Sequence, residues 1–283
     1  MLLLRDYKYI DVARIMDYLS SIDPGVVGEL TQRMKSDSGV DFSGTVNLQA
    51  LKLGGKGRKG NESEVEQTVR IYGQHMFNRL YGELNSEDAI QTIGMDTPLE
   101  IHELDKSSVL EITREFRPSP LNQMLDSFVE VLDMMKSLGL ENEIADGNDM
   151  REIKAVIRLL RGEDGNNDVP MFAKADDSSD TSIIFVVREN FLLGAASEFR
   201  GEMTLFGKVQ EKVQPGSSID LLDLLKILPP GVREAQASGG EFKLALHSFM
   251  GEWPEVFGGP IDPKEVVIEG PAVVVTPVAA YTI

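Results

Sequence analysis

One segment of the chain combines residue types that could bind an anion. The run from Lys52 to Asn61 reads Lys-Leu-Gly-Gly-Lys-Gly-Arg-Lys-Gly-Asn and holds four positive charges and four glycines. Glycine adopts backbone dihedrals that other residues avoid, so main-chain N–H groups can turn toward a ligand. Lysine and arginine side chains bind phosphate and carboxylate groups. The predicted contact residues are Lys52, Lys56, Arg58 and Lys59.

This basic run departs from the known phosphate-binding loop. The P-loop requires Gly-x-x-x-x-Gly-Lys followed by Ser or Thr, whereas Gly60 is followed by Asn61. The helix predicted to follow opens with Glu62, Glu64 and Glu66. These carboxylates would repel an anion, and they are themselves favourable partners for the helix N-terminus. Two other interpretations therefore stay open beside an anionic contact: a flexible hairpin tip or connector, and a nucleotide site.

A second group of residues has the chemistry of a metal site. Asp176, Asp177 and Asp180 lie close together in the sequence, and carboxylate oxygens are the ligands that magnesium and calcium prefer. The preceding stretch 164–168 has the alternate spacing of a calcium loop, but Val169 stands where the sharp-turn glycine belongs. The alternative interpretation is a solvated acidic connector.

The three histidines form no local zinc motif, because the sequence contains no His-Glu-x-x-His. His102 precedes Glu103 and lies near Asp105, so an acid–base pair is one interpretation and an exposed helix surface is the other. The Gly-x-Ser-x-Gly nucleophile motif is also absent from the sequence. We therefore predict neither a catalytic residue nor a cofactor.

Composition narrows the class of protein further. The chain has 283 residues and a formal net charge of −18, with 46 acidic against 28 basic residues. This excess of acid argues against general nucleic-acid binding, which depends on Lys and Arg replacing counterions. The absence of cysteine excludes disulfides and thiolate metal sites. The sequence shows no secretory signal and no stretch approaching the roughly 18 apolar residues of a membrane helix, so we expect a cytoplasmic protein with no membrane span.

Hydrophobic periodicity predicts the elements that position these residues. The longest predicted helix, 61–85, has apolar residues such as Tyr72, Met76 and Leu80 at three- and four-residue spacing, and Asp11 is expected to cap the first helix. The predicted strands are 7–10, 40–53, 109–116, 182–187, 203–213, 265–268 and 272–278, the last two as a pair. The predicted helices are 12–19, 61–85, 86–93, 121–135, 150–160, 218–227 and 241–249.

These elements predict an α+β fold in two parts that share one sheet. The N-terminal part, 1–162, is expected to be helix-rich and to carry the basic run, and the C-terminal part, 168–283, to be β-rich. An acidic connector is predicted at about 163–180, where the composition changes. The terminal strand Ala272–Val278 is apolar except at Thr276, so we expect it to be buried on both faces in the centre of a sheet. The N-terminal strands are its candidate neighbours.

Several short motifs resemble those of a large uncharacterised prokaryotic family, a domain of unknown function. They are Tyr9-Ile10-Asp11 with its helix, Gly25-Val26-Val27 before a Gly/Ser-rich segment, Phe77-Asn78-Arg79-Leu80-Tyr81, Gly207-Lys208-Val209-Gln210, and the closing Gly270-Pro271-Ala272 to Thr276-Pro277-Val278-Ala279. The similarity spans nearly the whole chain. It implies a prokaryotic α+β protein, carries no catalytic residue across, and associates the chain with accessory gene clusters, including defence loci.

The leading functional hypothesis is a non-enzymatic interaction or regulatory module. The basic run would contact the acidic face of a partner protein, the acidic surface of a second copy, or a small anionic ligand. The alternative is a nucleotide-sensing or metal-dependent nucleotide-hydrolysing protein, in which the run meets phosphate and Asp176, Asp177 or Asp180 holds a divalent ion. A third hypothesis makes the strand 40–53 half of a membrane-active hairpin, which the helical pattern that follows it disfavours.

Overall fold

The structure is a computed structural model that describes residues 5–22, 25, 62–119, 168–173, 180–188, 191–193, 199–220 and 267–283. Its two α-helices are α1 (Val12–Ile22) and α2 (Glu62–Ser86), and a short 3-10 helix covers Ile101–Glu103. The strands are β1 (Asp6–Ile10), β2 (Ile90–Ile93), β3 (Val109–Pro118), β4 (Asp168–Ala173), β5 (Ser182–Arg188), β6 (Gly201–Val213), β7 (Ser218–Asp220), β8 (Val267–Glu269) and β9 (Ala272–Thr282).

The predicted α+β class with a helix-rich N-terminal part is wrong, because the described residues are mostly β. They contain nine strands and two α-helices, one near the start of the chain and one ending at Ser86. The predicted helix at 86–93 is instead a turn followed by β2, which pairs in parallel with β3 from Ile90↔Val109 to Ile93↔Ile112. The predicted helix at 218–227 begins as β7, which pairs with β8. Long-range pairing overrides the local periodicity in both places.

The strand order of the large sheet is β1-β9-β5-β4-β3-β2, and β6 pairs with both β3 and β9. A closed circuit of hydrogen-bonded strands therefore runs in the order β3, β4, β5, β9 and β6, and β6 returns to β3. The longest ladder that is described joins β3 and β6, antiparallel from Val109↔Lys208 to Phe116↔Gly201. Strands β7 and β8 form a separate two-stranded sheet.

The chain divides into two compact units that do not follow the order of the sequence. The first comprises Met1–Phe116, Asn190–Glu211 and Val275–Ile283, and the second comprises Arg117–Glu189 and Lys212–Val274. The first has a core of buried side chains from α1, α2, β1, β6 and β9, and the second a smaller core around Ile184, Val213, Ala272 and Val274. The boundary predicted at about 163–180 stays a prediction, since 120–167 and 174–179 lie outside the described residues.

The start of α1 follows the sequence prediction. The fully buried carboxylate of Asp11 accepts a hydrogen bond from the Arg14 backbone N–H at 3.0 Å, and the Asp11 carbonyl accepts one from Ile15 N–H at 3.0 Å. This is the geometry of a helix N-cap, which satisfies donors that the first turn leaves free. The Tyr9 hydroxyl donates to the same carboxylate at 3.3 Å, so the cap is also joined to β1.

Strand β9 confirms the predicted central, doubly buried strand. Every residue from Ala272 to Thr282 is buried except Thr276 and Thr282. Strand β9 lies between β5 and β1, so its predicted N-terminal neighbour is also confirmed. The predicted pairing of 265–268 with 272–278 is wrong, because β8 pairs with β7 instead. A Cβ atom added at Gly207 would lie 2.6 Å from the Thr276 carbonyl oxygen, so this glycine allows β6 to approach β9 closely.

Candidate functional site

The residues predicted to contact an anion or a metal lie almost entirely outside the described residues. This holds for Lys52, Lys56, Arg58 and Lys59, and for Asp176 and Asp177. Asp180 is described, and its carboxylate accepts a hydrogen bond from the Thr181 backbone N–H at 2.8 Å, an ordinary local turn contact. Neither predicted site is therefore tested by the structure.

Sequence reasoning missed a polar cluster that lies inside the first unit. We call it the Arg5 cluster and define it as Arg5, Phe77, Tyr81, Glu111 and Tyr281. Arg5 directly precedes β1, Phe77 and Tyr81 lie on α2, and Glu111 and Tyr281 lie on β3 and β9. Four segments distant in the sequence thus contribute to one group, which is why no local motif indicated it.

Glu111 is the hydrogen-bond acceptor at the centre of this cluster. Its side chain is 9% exposed, and its carboxylate accepts hydrogen bonds from the hydroxyls of Tyr281, Tyr81 and Thr92. The Tyr81 and Thr92 contacts are 2.8 Å and 3.4 Å long, and the Tyr281 contact is the shortest. A buried carboxylate is costly unless several donors stabilise its charge, and these three hydroxyls supply that stabilisation.

The guanidinium of Arg5 lies among three aromatic rings. Its central carbon is 4.2 Å from the ring centroid of Tyr81, 4.9 Å from that of Tyr281 and 5.6 Å from that of Phe77. Each distance is within the range of cation–π attraction. One terminal nitrogen lies 3.8 Å from the Glu111 carboxylate. The cation is therefore held by the faces of the rings and by one buried negative charge.

The remaining nitrogens of Arg5 are less completely satisfied. The other terminal nitrogen donates to the Asn78 side-chain oxygen at a long 3.4 Å, and Asn78 also accepts from the Tyr7 hydroxyl at 3.0 Å. The Nε of Arg5 is buried and has no hydrogen-bond partner among the described residues. Arg5 is thus bound mainly through charge and ring stacking, and only weakly through directed hydrogen bonds.

The pKa values of Arg5 and of the tyrosines around it are all raised, by burial for the tyrosines and by neighbouring groups for Arg5. Burial raises the pKa of Tyr281, and the hydrogen bond to Glu111 and the charge of that carboxylate raise it further. Burial is likewise the main cause that raises the pKa of Tyr81 and of Tyr7. Burial acts to lower the pKa of Arg5, but the electrostatic effects of Tyr281, Tyr7, Tyr81 and Glu111 outweigh it and raise that pKa. The tyrosines therefore remain hydroxyl donors, and Arg5 remains a cation.

Another arginine, the buried Arg114, is held in a different way from Arg5. Its guanidinium donates to the main-chain carbonyls of Gly94, Met95 and Thr97, at 2.5, 3.0 and 2.5 Å, and to that of Thr113 at 2.9 Å. The first three belong to the loop after β2, so Arg114 ties this loop to β3. These contacts are those of a structural anchor, because main-chain carbonyl oxygens only accept hydrogen bonds and offer no group for acid–base chemistry.

The histidine considered for acid–base chemistry pairs with a different residue. His102 Nδ1 lies 3.3 Å from the Glu100 carboxylate, and both side chains are more than half exposed. Glu100, His102 and Glu103 bring one possible ligand atom each within 4.8 Å of one another. The donor types suit a divalent ion, but all three residues are exposed, and exposed acidic groups commonly lie together without an ion.

The fold and the Arg5 cluster together define a mostly β protein whose first unit encloses a cation among aromatic rings and a carboxylate. The chain belongs to the family described as Domain of unknown function (DUF6414), whose family model matches residues 4–281. This confirms the predicted membership of an uncharacterised family. Searches of curated proteins and of solved structures found no significant match. Neither helix of the described residues is long and apolar enough to cross a membrane.

Proposed function

We propose that this chain is a non-enzymatic interaction or regulatory module of a prokaryotic cytoplasmic system. It contacts an acidic or anionic partner through the basic run, Lys52–Asn61. The observation that carries the proposal is the concentration of four positive charges among four glycines in a chain with a net charge of −18. Such a local reversal of charge attracts an acidic surface and orients the encounter.

The place of the run in the chain supports the proposal. The run ends at Asn61, and α2 begins at Glu62. Helix α2 is anchored in the core of the first unit by Met76, Phe77 and Leu80, each of which is at most 1% exposed. A contact made by the run is therefore connected directly to a helix that is fixed to the folded body. This arrangement suits a recognition segment on a rigid support.

Charge reversal tests the proposal. The variant Lys56→Glu, Arg58→Glu, Lys59→Glu is compared with a control, Lys106→Glu, Arg200→Glu, Lys208→Glu, which changes the same residue types and the same total charge elsewhere on the chain. Binding to a poly-glutamate peptide and to inorganic polyphosphate is measured at two salt concentrations, and self-association is measured by sedimentation velocity.

The wild-type chain and the control should bind at least one probe, or self-associate, with an affinity that falls as salt rises. The variant in the run should lose at least tenfold in affinity, roughly 1.4 kcal/mol. Equal behaviour of the two variants would overturn the proposal. A rise in melting temperature with a nucleotide and magnesium, abolished by Asp176→Asn, Asp177→Asn, Asp180→Asn, would instead favour the nucleotide-dependent alternative.

A further inference from the structure

We propose that the Arg5 cluster is a guanidinium-binding site that the chain fills with its own Arg5. When Arg5 is removed, the site should bind an alkylguanidinium, the chemical group that ends an arginine side chain. The proposal is independent of the basic run, since none of the residues that form the site lies within 52–61.

The aromatic rings give the site its preference for a flat cation. Phe77 lies 5.9 Å from both Tyr81 and Tyr281, measured between ring centroids. The guanidinium lies within 5.6 Å of all three centroids. Guanidinium is planar and weakly hydrated, so it stacks on aromatic faces at a lower desolvation cost than an ammonium ion. The three rings thus form a cage whose shape suits this group.

The carboxylate gives the site its charge preference. Glu111 is held in place by three hydroxyl donors from β9, α2 and β2. These contacts come from groups other than Arg5, so the carboxylate keeps its position and most of its partners when Arg5 is absent. An empty cage would then enclose a buried negative charge without a cation, which is an unfavourable state. Binding a new cation relieves that cost.

The contacts of Arg5 in the cage are made mainly by its guanidinium group. Its Nε is buried without a partner, and its contact with Asn78 is long. The close contacts are those between the guanidinium carbon and the rings of Tyr81 and Tyr281. A guanidinium that is not attached to this backbone can make the same stacking and charge contacts, and it can also orient its remaining N–H groups freely.

Chemical rescue tests the site. Ethylguanidinium, which reproduces the outer end of an arginine side chain, is added to the wild-type chain, to Arg5→Ala and to the double variant Arg5→Ala, Glu111→Gln. Ethylurea serves as the neutral isostere, and sodium chloride as the salt control. The readouts are the melting temperature and isothermal titration calorimetry. Arg114→Ala is the matched control, because it removes a buried arginine whose described partners are main-chain carbonyls.

We expect Arg5→Ala to melt at least about 2–4 °C below the wild-type chain. Ethylguanidinium should recover at least half of that loss in a saturable way, and ethylurea should not. The wild-type chain, the double variant and Arg114→Ala should show no such recovery. Equal responses of Arg5→Ala and the wild-type chain, or of Arg5→Ala and the double variant, would overturn the proposal.

Refolding provides the measurement if Arg5→Ala does not fold alone. The denatured variant is diluted into buffer with ethylguanidinium or with ethylurea, and the recovered circular dichroism signal is compared. Recovery with ethylguanidinium alone supports the site. No recovery with either compound contradicts it, because a cage that binds the cation must stabilise the folded state by mass action.

Discussion

Two arginines of the first unit, the partly buried Arg5 and the buried Arg114, are held by different chemistry. Arg114 lies in the middle of β3 and donates hydrogen bonds to four main-chain carbonyls, three of them from one loop. Arg5 lies before β1 and is held by three ring faces and the Glu111 carboxylate. Carbonyl dipoles fix a guanidinium by direction, whereas rings and a charge hold it with little directional demand. One arginine is therefore a structural tie, and the other occupies a site.

The largest effect should come from removing the charge partner of Arg5. Glu111→Ala leaves the largely enclosed Arg5 guanidinium, whose side chain is 11% exposed, without its carboxylate. The free energy of unfolding should therefore fall by roughly 3–5 kcal/mol. Urea denaturation followed by circular dichroism measures this loss. Glu115→Ala, an exposed residue on the same strand, should change stability by no more than about 0.5 kcal/mol. Similar losses in both variants would show that Glu111 supports no special cluster.

The sequence predicts the features that depend on neighbouring residues, but it does not predict the contacts between segments that are far apart in the sequence. Asp11 caps α1 and Met76 and Leu80 anchor α2, as the spacing of apolar and capping residues indicates. Glu111, by contrast, alternates with buried apolar residues on β3 and reads as a solvent-facing side chain. Its burial depends on Tyr281, which is 170 residues away in the sequence. The hydrophobic periodicity of the local sequence does not indicate a contact between residues so far apart.

The errors in the fold prediction have the same physical origin. The stretch 86–93 has residues compatible with either a short helix or a strand, and pairing with β3 decides for a strand. Asp88 has a positive φ of 55°, which breaks the helix before β2 begins. The short apolar run 169–173, which interrupts the acidic composition of 163–180, is part of β4 and pairs with β5 from Asp168↔Arg188 to Ala173↔Ile183. Each outcome is decided by a neighbouring strand that the local sequence does not contain.

A smaller loss of stability should follow removal of the other arginine. Arg114→Met keeps the length and apolar stem of the side chain but leaves four carbonyls without this donor. We expect a loss of roughly 1.5–3 kcal/mol, the usual cost of hydrogen bonds to a charged group. Hydrogen exchange should also become faster at the amides of 94–97, the loop that Arg114 ties down. Unchanged exchange in this loop would show that the anchor contributes nothing to its order.

The smallest effect should appear as a dependence on pH. Tyr281 has its pKa raised by burial and by Glu111, so the folded chain retains a proton that the unfolded chain loses above about pH 10. The contribution of Tyr281 to the free energy of unfolding should therefore be constant below about pH 10. Above that pH the free energy of unfolding should fall, by at most about 1.4 kcal/mol per pH unit. Tyr281→Phe should flatten this part of the curve. Parallel curves for the two proteins would contradict the assignment.

The pairing of β1 with β9 has a consequence for how the protein is made. The guanidinium of Arg14 donates to the Pro277 carbonyl, 263 residues further along the chain, and the β1–β9 ladder spans a similar separation. A ribosome adds about 5–20 residues per second, so residues 6–10 emerge on the order of ten seconds to a minute before their partner strand exists. During that interval β1 lacks the strand with which it pairs, so the β1–β9 ladder cannot form until residue 282 has been synthesised.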